Sequence, residues 1–312
     1  MKLSLVCPCY NEGENIEKFY DTCVEVLEPV LHGDYEFIFV NDGSSDDTQK
    51  KLVSIYERSD KRLKLVSFSR NFGKEAAMYA GLGKCEGEYT VLIDTDLQQR
   101  PETVLEMVEL LDNNPDYDCV AAYQQKRSES RFMSGCKSLF YKLINRMCDI
   151  DFHEGASDFR TFRRGVVEAI LSMCECHRFT KGIFSWVGYN TYYIPYEASE
   201  RHAGKSTWSF LKLVKYAISG IVSFSTFPLK LASFVGSAMA FLSLGYMIFV
   251  IIQKLVWGIS VAGYATIIVL TLLIGGIQLL CLGILGEYIS RIYIQGKHRP
   301  ICVIKEYKDN QK

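Results

Sequence analysis

The chain has 312 residues, with 35 Lys and Arg against 36 Asp and Glu, which leaves a formal net charge of −1. This length suits one large domain or two smaller ones, and the balanced charge does not favour nucleic acid as a partner. The 11 cysteines have no repeated spacing. Since no signal peptide precedes the first apolar run, we expect reduced thiols in a reducing compartment.

Residues 1–206 alternate short, β-rich apolar runs with helical patterns. This alternation predicts an α/β fold with a mixed, mainly parallel sheet and helices on both faces. The predicted strands are residues 3–7, 36–40, 63–68, 89–93 and 119–123. The predicted helices between them are residues 14–27, 47–58, 74–82 and 101–111.

Three predicted strands run into polar clusters: Pro8-Cys-Tyr-Asn-Glu12, Asn41-Asp-Gly-Ser-Ser-Asp46 and Asp94-Thr-Asp-Leu-Gln98. Because ligands bind beyond the carboxyl ends of the strands in such a sheet, these clusters predict one site. The hard oxygen ligands of the third cluster suit Mg²⁺ or Mn²⁺ with substrate phosphate, although a lone Asp-x-Asp is more often a solvated turn. The glycine motifs of dinucleotide-binding folds and phosphate-binding loops are absent, which disfavours an NAD enzyme or a P-loop nucleotidase.

After residue 206 the chain becomes apolar. Residues 207–228 have the pattern of an amphipathic helix at a membrane surface. Residues 231–253 and 255–286 contain no Asp, Glu, Lys or Arg, and each exceeds the roughly 20 residues that cross a bilayer. We predict a two-helix transmembrane anchor over residues 229–290 and a basic tail over residues 291–312.

Basic residues flank the predicted anchor on both sides, whereas the loop between its helices offers only Lys254. By the positive-inside rule, the N-terminal α/β domain and both termini are expected in the cytoplasm, with the anchor in the cell membrane. Small residues recur in both helices, which is consistent with close helix packing.

The three clusters carry a family resemblance together with Ser69-Arg-Asn-Phe-Gly-Lys-Glu75, Ser157-Asp-Phe-Arg160 and Arg201-His-Ala-Gly-Lys-Ser206. In this order, and followed by two apolar helices, they make the chain resemble the GT-A glycosyltransferases of family 2. The match is closest to the polyprenyl-phosphate glycosyltransferases, which include dolichyl-phosphate mannose synthase and bactoprenol glucosyltransferases. The resemblance implies a GT-A (Rossmann-like) fold, and it favours a homo-oligomer.

The resemblance further implies inverting transfer of one sugar from a nucleotide diphosphate sugar to polyprenyl phosphate. Asp96 and Gln98 would hold Mg²⁺ or Mn²⁺ at the donor diphosphate, and Asp94 would contact the ribose or sugar of the donor. A uridine donor carrying a hexose or N-acetylhexosamine is the preferred expectation. The residues expected around the donor nucleotide are Pro8, Tyr10, Asn11, Glu12, Asp42, Arg70, Lys74, Asp94 and Thr95.

Asp158 matches a position often assigned as the catalytic base of this family. A lipid phosphate is already ionised near neutral pH, so Asp158 could instead orient the acceptor or stabilise positive charge at the anomeric carbon. A structural Asp–Arg pair within residues 157–160 is a further alternative.

Cations are needed where an anionic acceptor meets an anionic donor, and Arg or Lys side chains suit phosphate. The candidates are Arg127, Arg131, Arg201 and Lys205, for which a solvated basic face is the alternative. The chain departs from its relatives at Gln99-Arg100-Pro101-Glu102, where Asp-Pro-Pro-Glu is common. It also lacks an arginine often found in the loop near residue 123.

Two alternatives remain from the sequence. A processive polysaccharide synthase of the same fold would carry a Gln-x-x-Arg-Trp motif, but Arg127 is followed by Ser128. A catalytically dead membrane scaffold would have no chemical need of Asp94, Asp96, Gln98 and Asp158.

Overall fold

A computed structural model of the chain describes residues 1–124, 145, 156–196, 220–257 and 263–310. Its strands are β1 (Leu3–Cys9), β2 (Tyr35–Asn41), β3 (Arg62–Phe68), β4 (Tyr89–Leu92), β5 (Cys119–Gln124), β6 (Ala156–Arg163), β7 (Thr191–Tyr196) and β8 (Ile304–Asp309). Its helices are α1 (Ile16–Leu31), α2 (Thr48–Arg58), α3 (Lys74–Leu82), α4 (Pro101–Asn113), α5 (Arg164–Ser172), α6 (Thr180–Trp186), α7 (Phe227–Trp257) and α8 (Tyr264–Gly296).

All eight strands form one sheet in the order β7-β5-β6-β4-β1-β2-β3-β8. The neighbours β4, β1, β2 and β3 are parallel, whereas β6 and β8 pair antiparallel with β4 and β3. From β1 the chain continues to β2 and β3 on one side of β1, and it then crosses to β4 on the other side of β1. The carboxyl ends of β1 and β4 therefore flank a topological switch point, where α/β sheets bind ligands.

Each face of the sheet is covered by its own hydrophobic core, because strand side chains alternate between faces. Leu5 and Cys7 of β1 pack with α1, α2 and α4, whereas Val6 packs with α3, α5 and α6. The helix α1 buries a stripe at helical spacing against the first face. The predicted mixed, mainly parallel sheet with helices on both faces is confirmed.

The strand β8 was not among the strands predicted from sequence, and it lies in the segment expected to be a basic tail. It follows α8 closely and pairs with the edge strand β3, with Val66 opposite Tyr307. The side chain of Asn310 extends this contact, since its Oδ1 accepts the N–H of Leu63 at 2.8 Å. The six residues of β8 do not alternate between polar and apolar types, so the sequence pattern alone does not distinguish this strand from a tail.

The helices α7 and α8 contain the two candidate membrane spans, Phe227–Gln253 and Val269–Gly296. The most apolar stretch of each span is not buried against the rest of the described chain, unlike the core helix of a soluble protein. The helix α8 ends at Gly296, six residues beyond the predicted anchor of residues 229–290. Near this end, Glu287 and Arg291 form an i,i+4 ion pair. Most of the predicted interfacial helix, residues 207–219, lies outside the described residues.

Candidate active site

The edge formed by the carboxyl ends of β1, β2 and β4 brings the three polar clusters together. In the parallel pairing, Val6 of β1 lies opposite Leu92 of β4 and Cys9 lies opposite Asn41 of β2. The pairing continues past β4, since the N–H of Ile93 donates to the carbonyl of Val6 at 3.1 Å. The next residue, Asp94, is therefore delivered to the switch point.

The loop after β1 is bonded directly to the loop after β2. The N–H of Asn11 donates to Ser44 Oγ at 3.0 Å, and Asn11 Oδ1 accepts the N–H of Ser45 at 2.9 Å. Asn11 is left-handed, with φ 54°, a conformation that Asn tolerates better than most residues. The N–H of Glu12 donates to Thr48 Oγ1 at 2.9 Å. Tyr10, the residue before Asn11, is 49% exposed.

Asp42 follows β2 and holds the loop after β3. Its side chain is buried and accepts the N–H groups of Phe72 at 2.6 Å and Gly73 at 2.9 Å. Burial raises the pKa of Asp42, and the two N–H bonds oppose that rise. This bonding fixes the segment that carries Arg70 and Lys74. The sequence indicated a donor contact for Asp42 but not this structural role, and the donor contact remains a prediction.

Gly43 makes the close approach of these two loops possible. It has φ 64°, and a Cβ at this position would lie 2.4 Å from the carbonyl carbon of Arg70. Both facts require glycine here. The side chain of Arg70 stacks on the ring of Phe72, with 4.1 Å from its Cζ to the ring centroid, so its guanidinium lies at the surface of the loop.

Lys74 joins the two acidic residues to which the sequence assigned catalysis. Its Nζ lies 2.6 Å from Asp94 Oδ1 and 3.3 Å from Asp158 Oδ2. The β4–β6 pairing sets Leu92 opposite Arg160, and the same antiparallel register continued by two residues sets Asp94 opposite Asp158. Lys74 reaches both carboxylates from the first turn of α3.

The surroundings of Asp158 and Lys74 favour the ionised form of both groups. Burial alone would raise the pKa of Asp158, but the charges of Lys74 and Lys181 outweigh it and hold that pKa below its ordinary value. Burial alone would lower the pKa of Lys74, but Asp94 and Asp158 raise it well above its ordinary value. A carboxylate with a lowered pKa is a weak base, so Asp158 is better suited to orienting or charge stabilisation than to proton removal.

Gln99 is a site residue that the sequence treated only as a departure from the family pattern. Its side chain is 6% exposed and folds back on Asp94 with both polar atoms. The Oε1 accepts the N–H of Asp94 at 2.8 Å, and the Nε2 donates to Asp94 Oδ2 at 3.2 Å. The amide therefore fixes the orientation of the carboxylate that contacts Lys74.

The turn at Asp96 offers oxygen ligands for a divalent cation. Asp96 Oδ1 accepts the N–H of Gln98 at 3.1 Å, and Leu97 between them is left-handed, with φ 60°. Among the described residues, no group of three or more His, Cys, Asp or Glu could hold a metal ion. A carboxylate and an amide fit Mg²⁺ or Mn²⁺ that takes most of its ligands from water and diphosphate. The residues thus fit a metal that binds together with the donor.

Several predicted site residues require separate mention. Pro8 lies at the end of β1, opposite Val40, and Thr95 is buried between the two acidic residues of its motif. Their donor contacts remain predictions. The predicted acceptor cations Arg127, Arg131, Arg201 and Lys205 lie outside the described part of the chain.

Comparison with known proteins gives two family matches. The profile described as "Glycosyl transferase family 2" matches residues 4–171. The profile described as "GtrB C-terminal hairpin" matches residues 227–292, a range that includes nearly all of α7 and α8. The first match covers most of the sheet, and the second covers the apolar helix pair.

The chain is also similar to curated proteins over nearly its full length. It is 41% identical to the bactoprenol glucosyl transferase of Shigella phage SfV, covering 99% of each chain. It is 40% identical to an uncharacterized glycosyltransferase of Synechocystis sp., covering 98% of this chain and 95% of the relative. Among solved structures, the chain is similar to glucosyl-3-phosphoglycerate synthase from Mycobacterium tuberculosis in complex with Mn²⁺, UDP and glucosyl-3-phosphoglycerate. The two are 18% identical, with a TM-score of 0.46, and the match covers 71% of this chain and 77% of that chain.

Proposed function

The chain belongs to glycosyl transferase family 2, and we propose that it transfers one sugar from a nucleotide diphosphate sugar to polyprenyl phosphate at the membrane. The observation that carries this proposal is the full-length similarity to bactoprenol glucosyl transferases, which extends through the C-terminal hairpin. A catalytic domain joined to two unburied apolar helices suits a soluble donor and a lipid acceptor. The same features support a membrane location. We propose that the sheet lies on the cytoplasmic side, because basic residues flank the helix pair.

The reaction places the phosphate oxygen of the acceptor against the anomeric carbon of the sugar. A bond forms between that oxygen and the carbon as the bond from the carbon to the diphosphate breaks, and the electron pair leaves on the nucleoside diphosphate. Attack from the face opposite the leaving group inverts the anomeric centre. No proton has to leave the acceptor, which agrees with the lowered pKa of Asp158.

The residues of the chain would divide this task. Gln99 and Lys74 hold Asp94 in one orientation at the switch point, where it would contact the sugar or ribose. Asp158 lies on the other side of Lys74 and would stabilise positive charge developing at the anomeric carbon. Bound at Asp96 and Gln98, Mg²⁺ or Mn²⁺ would supply charge neutralisation at the leaving diphosphate.

The donor is proposed to be a uridine diphosphate hexose or N-acetylhexosamine, by analogy with bacterial relatives. A homo-oligomer is proposed on the same analogy and on the small residues of α7 and α8.

The test incubates membranes containing the full chain with undecaprenyl phosphate, Mn²⁺ and each of a panel of nucleotide sugars. We expect one donor to yield a lipid product heavier by a single sugar, relative to membranes lacking the protein. No new lipid product with any donor would contradict the proposal.

A further inference from the structure

The helix α6 lies against the strand face that presents Asp158. On β6, Asp158, Arg160 and Phe162 point to one side, because strand side chains alternate. Phe184 of α6 contacts this side, with its ring 4.8 Å from the Arg160 guanidinium carbon and 5.1 Å from the ring of Phe162. The side of α6 that carries Phe184 therefore faces the row that begins with Asp158.

Lys181 belongs to that side of α6. It precedes Phe184 by three residues, so both project from the same helix face, with Lys181 one turn closer to the start of α6. That start is fixed beside the catalytic trio, since the N–H and Oγ1 of Thr180 both donate to Glu75 Oε2 at 2.8 Å. Glu75 directly follows Lys74. The charge of Lys181 is also among the causes that lower the pKa of Asp158.

The other side of α6 contacts the segment that leads into the candidate membrane helices. Phe179, just before α6, lies 6.2 Å from Phe224 between ring centroids. A Cβ on Gly182 would lie 2.4 Å from Phe224, so helix and segment are in close contact. Phe224 lies three residues before the start of α7, and Tyr288 of α8 donates to the carbonyl of Ser225 at 2.7 Å. The helix α6 thus contacts the face of β6 that carries Asp158 on one side and the segment leading into α7 on the other.

The three cations that act on Asp158 differ in their surroundings. Lys74 lies between two carboxylates. Arg160 is buried, stacks on Phe184 and donates its Nε to the Ser157 carbonyl at 3.2 Å. Lys181 is only partly buried and belongs to α6, the helix that also contacts the segment leading into α7. A phosphate approaching Asp158 from the membrane needs a cation there, because two anions in close contact repel each other.

From this arrangement we propose that Lys181 binds the phosphate group of the lipid acceptor. The proposal rests on the proposed function, and it adds Lys181 of α6 to the four acceptor cations predicted from the sequence. An ammonium serves as a point charge for phosphate. The ligand class is a phosphate monoester on a long isoprenoid chain, delivered from α7 and α8.

The kinetic test compares the full-length wild type with Lys181→Met and Lys181→Arg, using undecaprenyl phosphate and the active donor. We expect Lys181→Met to raise the KM for undecaprenyl phosphate by about tenfold or more, with the donor KM within about twofold of wild type. Lys181→Arg should restore part of the affinity, since it keeps the charge. The control is Lys18→Met, which removes an exposed cation from α1 on the other face of the sheet and should leave both constants unchanged.

A binding measurement separates this proposal from the proposed function. Calorimetry with a water-soluble, short-chain polyprenyl phosphate should show weaker binding to Lys181→Met than to wild type, at unchanged Tm and unchanged nucleotide binding. The wild type could bind the polyprenyl phosphate but make no product, while Lys181→Met fails to bind it. That result would support the role of Lys181 and refute the proposed sugar transfer. An unchanged acceptor KM and affinity in Lys181→Met would overturn the proposal, as would an equal loss of donor affinity.

Discussion

Lys74 Nζ lies 2.6 Å from Asp94 Oδ1, with the lysine on the first turn of α3 and the aspartate just past β4. The contact joins two elements from different sides of the switch point, and it extends to Asp158 at 3.3 Å. The sequence assigned Lys74 to the donor and the two acidic residues to catalysis. In the folded chain they form one charged group, so their substitutions should not act independently.

Lys74→Met should reduce the transfer rate by roughly two to three orders of magnitude, the range seen when one preorganised electrostatic contact is removed. The variant leaves two carboxylates near each other without their shared cation, which also weakens binding of the anionic donor. The measurement is kcat and donor KM for the single-sugar product. Lys50→Met, which removes an exposed cation from α2, is the control. Wild-type kinetics in Lys74→Met would exclude Lys74 from the reaction centre.

Gln99→Met keeps side-chain length but removes both hydrogen bonds to Asp94. Because Gln99 acts through Asp94, we expect kcat to fall by roughly 10- to 100-fold, as for partners that orient a functional group. Gln99→Glu should be at least as impaired, since it sets a second carboxylate against Asp94 and removes the Nε2 amide that donates a hydrogen bond to Asp94. Thermal unfolding checks the fold of each variant. A kcat equal to wild type in Gln99→Met would show that Asp94 needs no such support.

The pH dependence of the reaction follows from the lowered pKa of Asp158. Ionised Asp158 stabilises the folded chain. This contribution is complete above the ordinary carboxyl pKa of about 3.9, and it is lost as the pH falls through the lower pKa that Asp158 has in the folded state. Asp158 should therefore stay ionised from about pH 5 to 8, and kcat should show no titration by this group. The measurement is a kcat profile of wild type and Asp158→Asn. A rise in that range which disappears in Asp158→Asn would indicate a protonated Asp158 instead.

Deletion of residues 304–312 removes β8 and exposes the edge of β3. Several backbone hydrogen bonds at about 1 kcal/mol each are lost, together with the two Asn310 contacts to Leu63 and Lys61. At about 2–4 °C per kcal/mol, Tm should fall by roughly 10 °C. Deletion of residues 311–312 alone is the control and should leave Tm unchanged. An unaffected Tm in the longer deletion would mean that β8 adds no stability to the sheet.

The parts of this protein that follow from local patterns were predictable. The βαβ alternation gave the central parallel strands, and the uncharged runs gave α7 and α8, because each depends on the periodicity or length of its own segment. The strand β8 depends on pairing with β3, which is more than 200 residues earlier, and no local pattern encodes such a partner. The sequence likewise placed Asp94 at a strand end, but the fold-back of Gln99 depends on the turn at Asp96, with its left-handed Leu97. Asp42 shows a third case, because its residue type suits a ligand contact and a loop contact equally well.

The central claim is that this site transfers a single sugar to a lipid phosphate, and the number of sugars per lipid tests it most directly. The full chain is incubated to completion with excess donor, Mn²⁺ and undecaprenyl phosphate, beside an Asp96→Ala variant that lacks the metal carboxylate, and the lipids are analysed by mass. We predict one product, undecaprenyl phosphate plus one sugar, with little or none from Asp96→Ala. A ladder of products carrying several sugars, or full turnover by Asp96→Ala, would contradict the account.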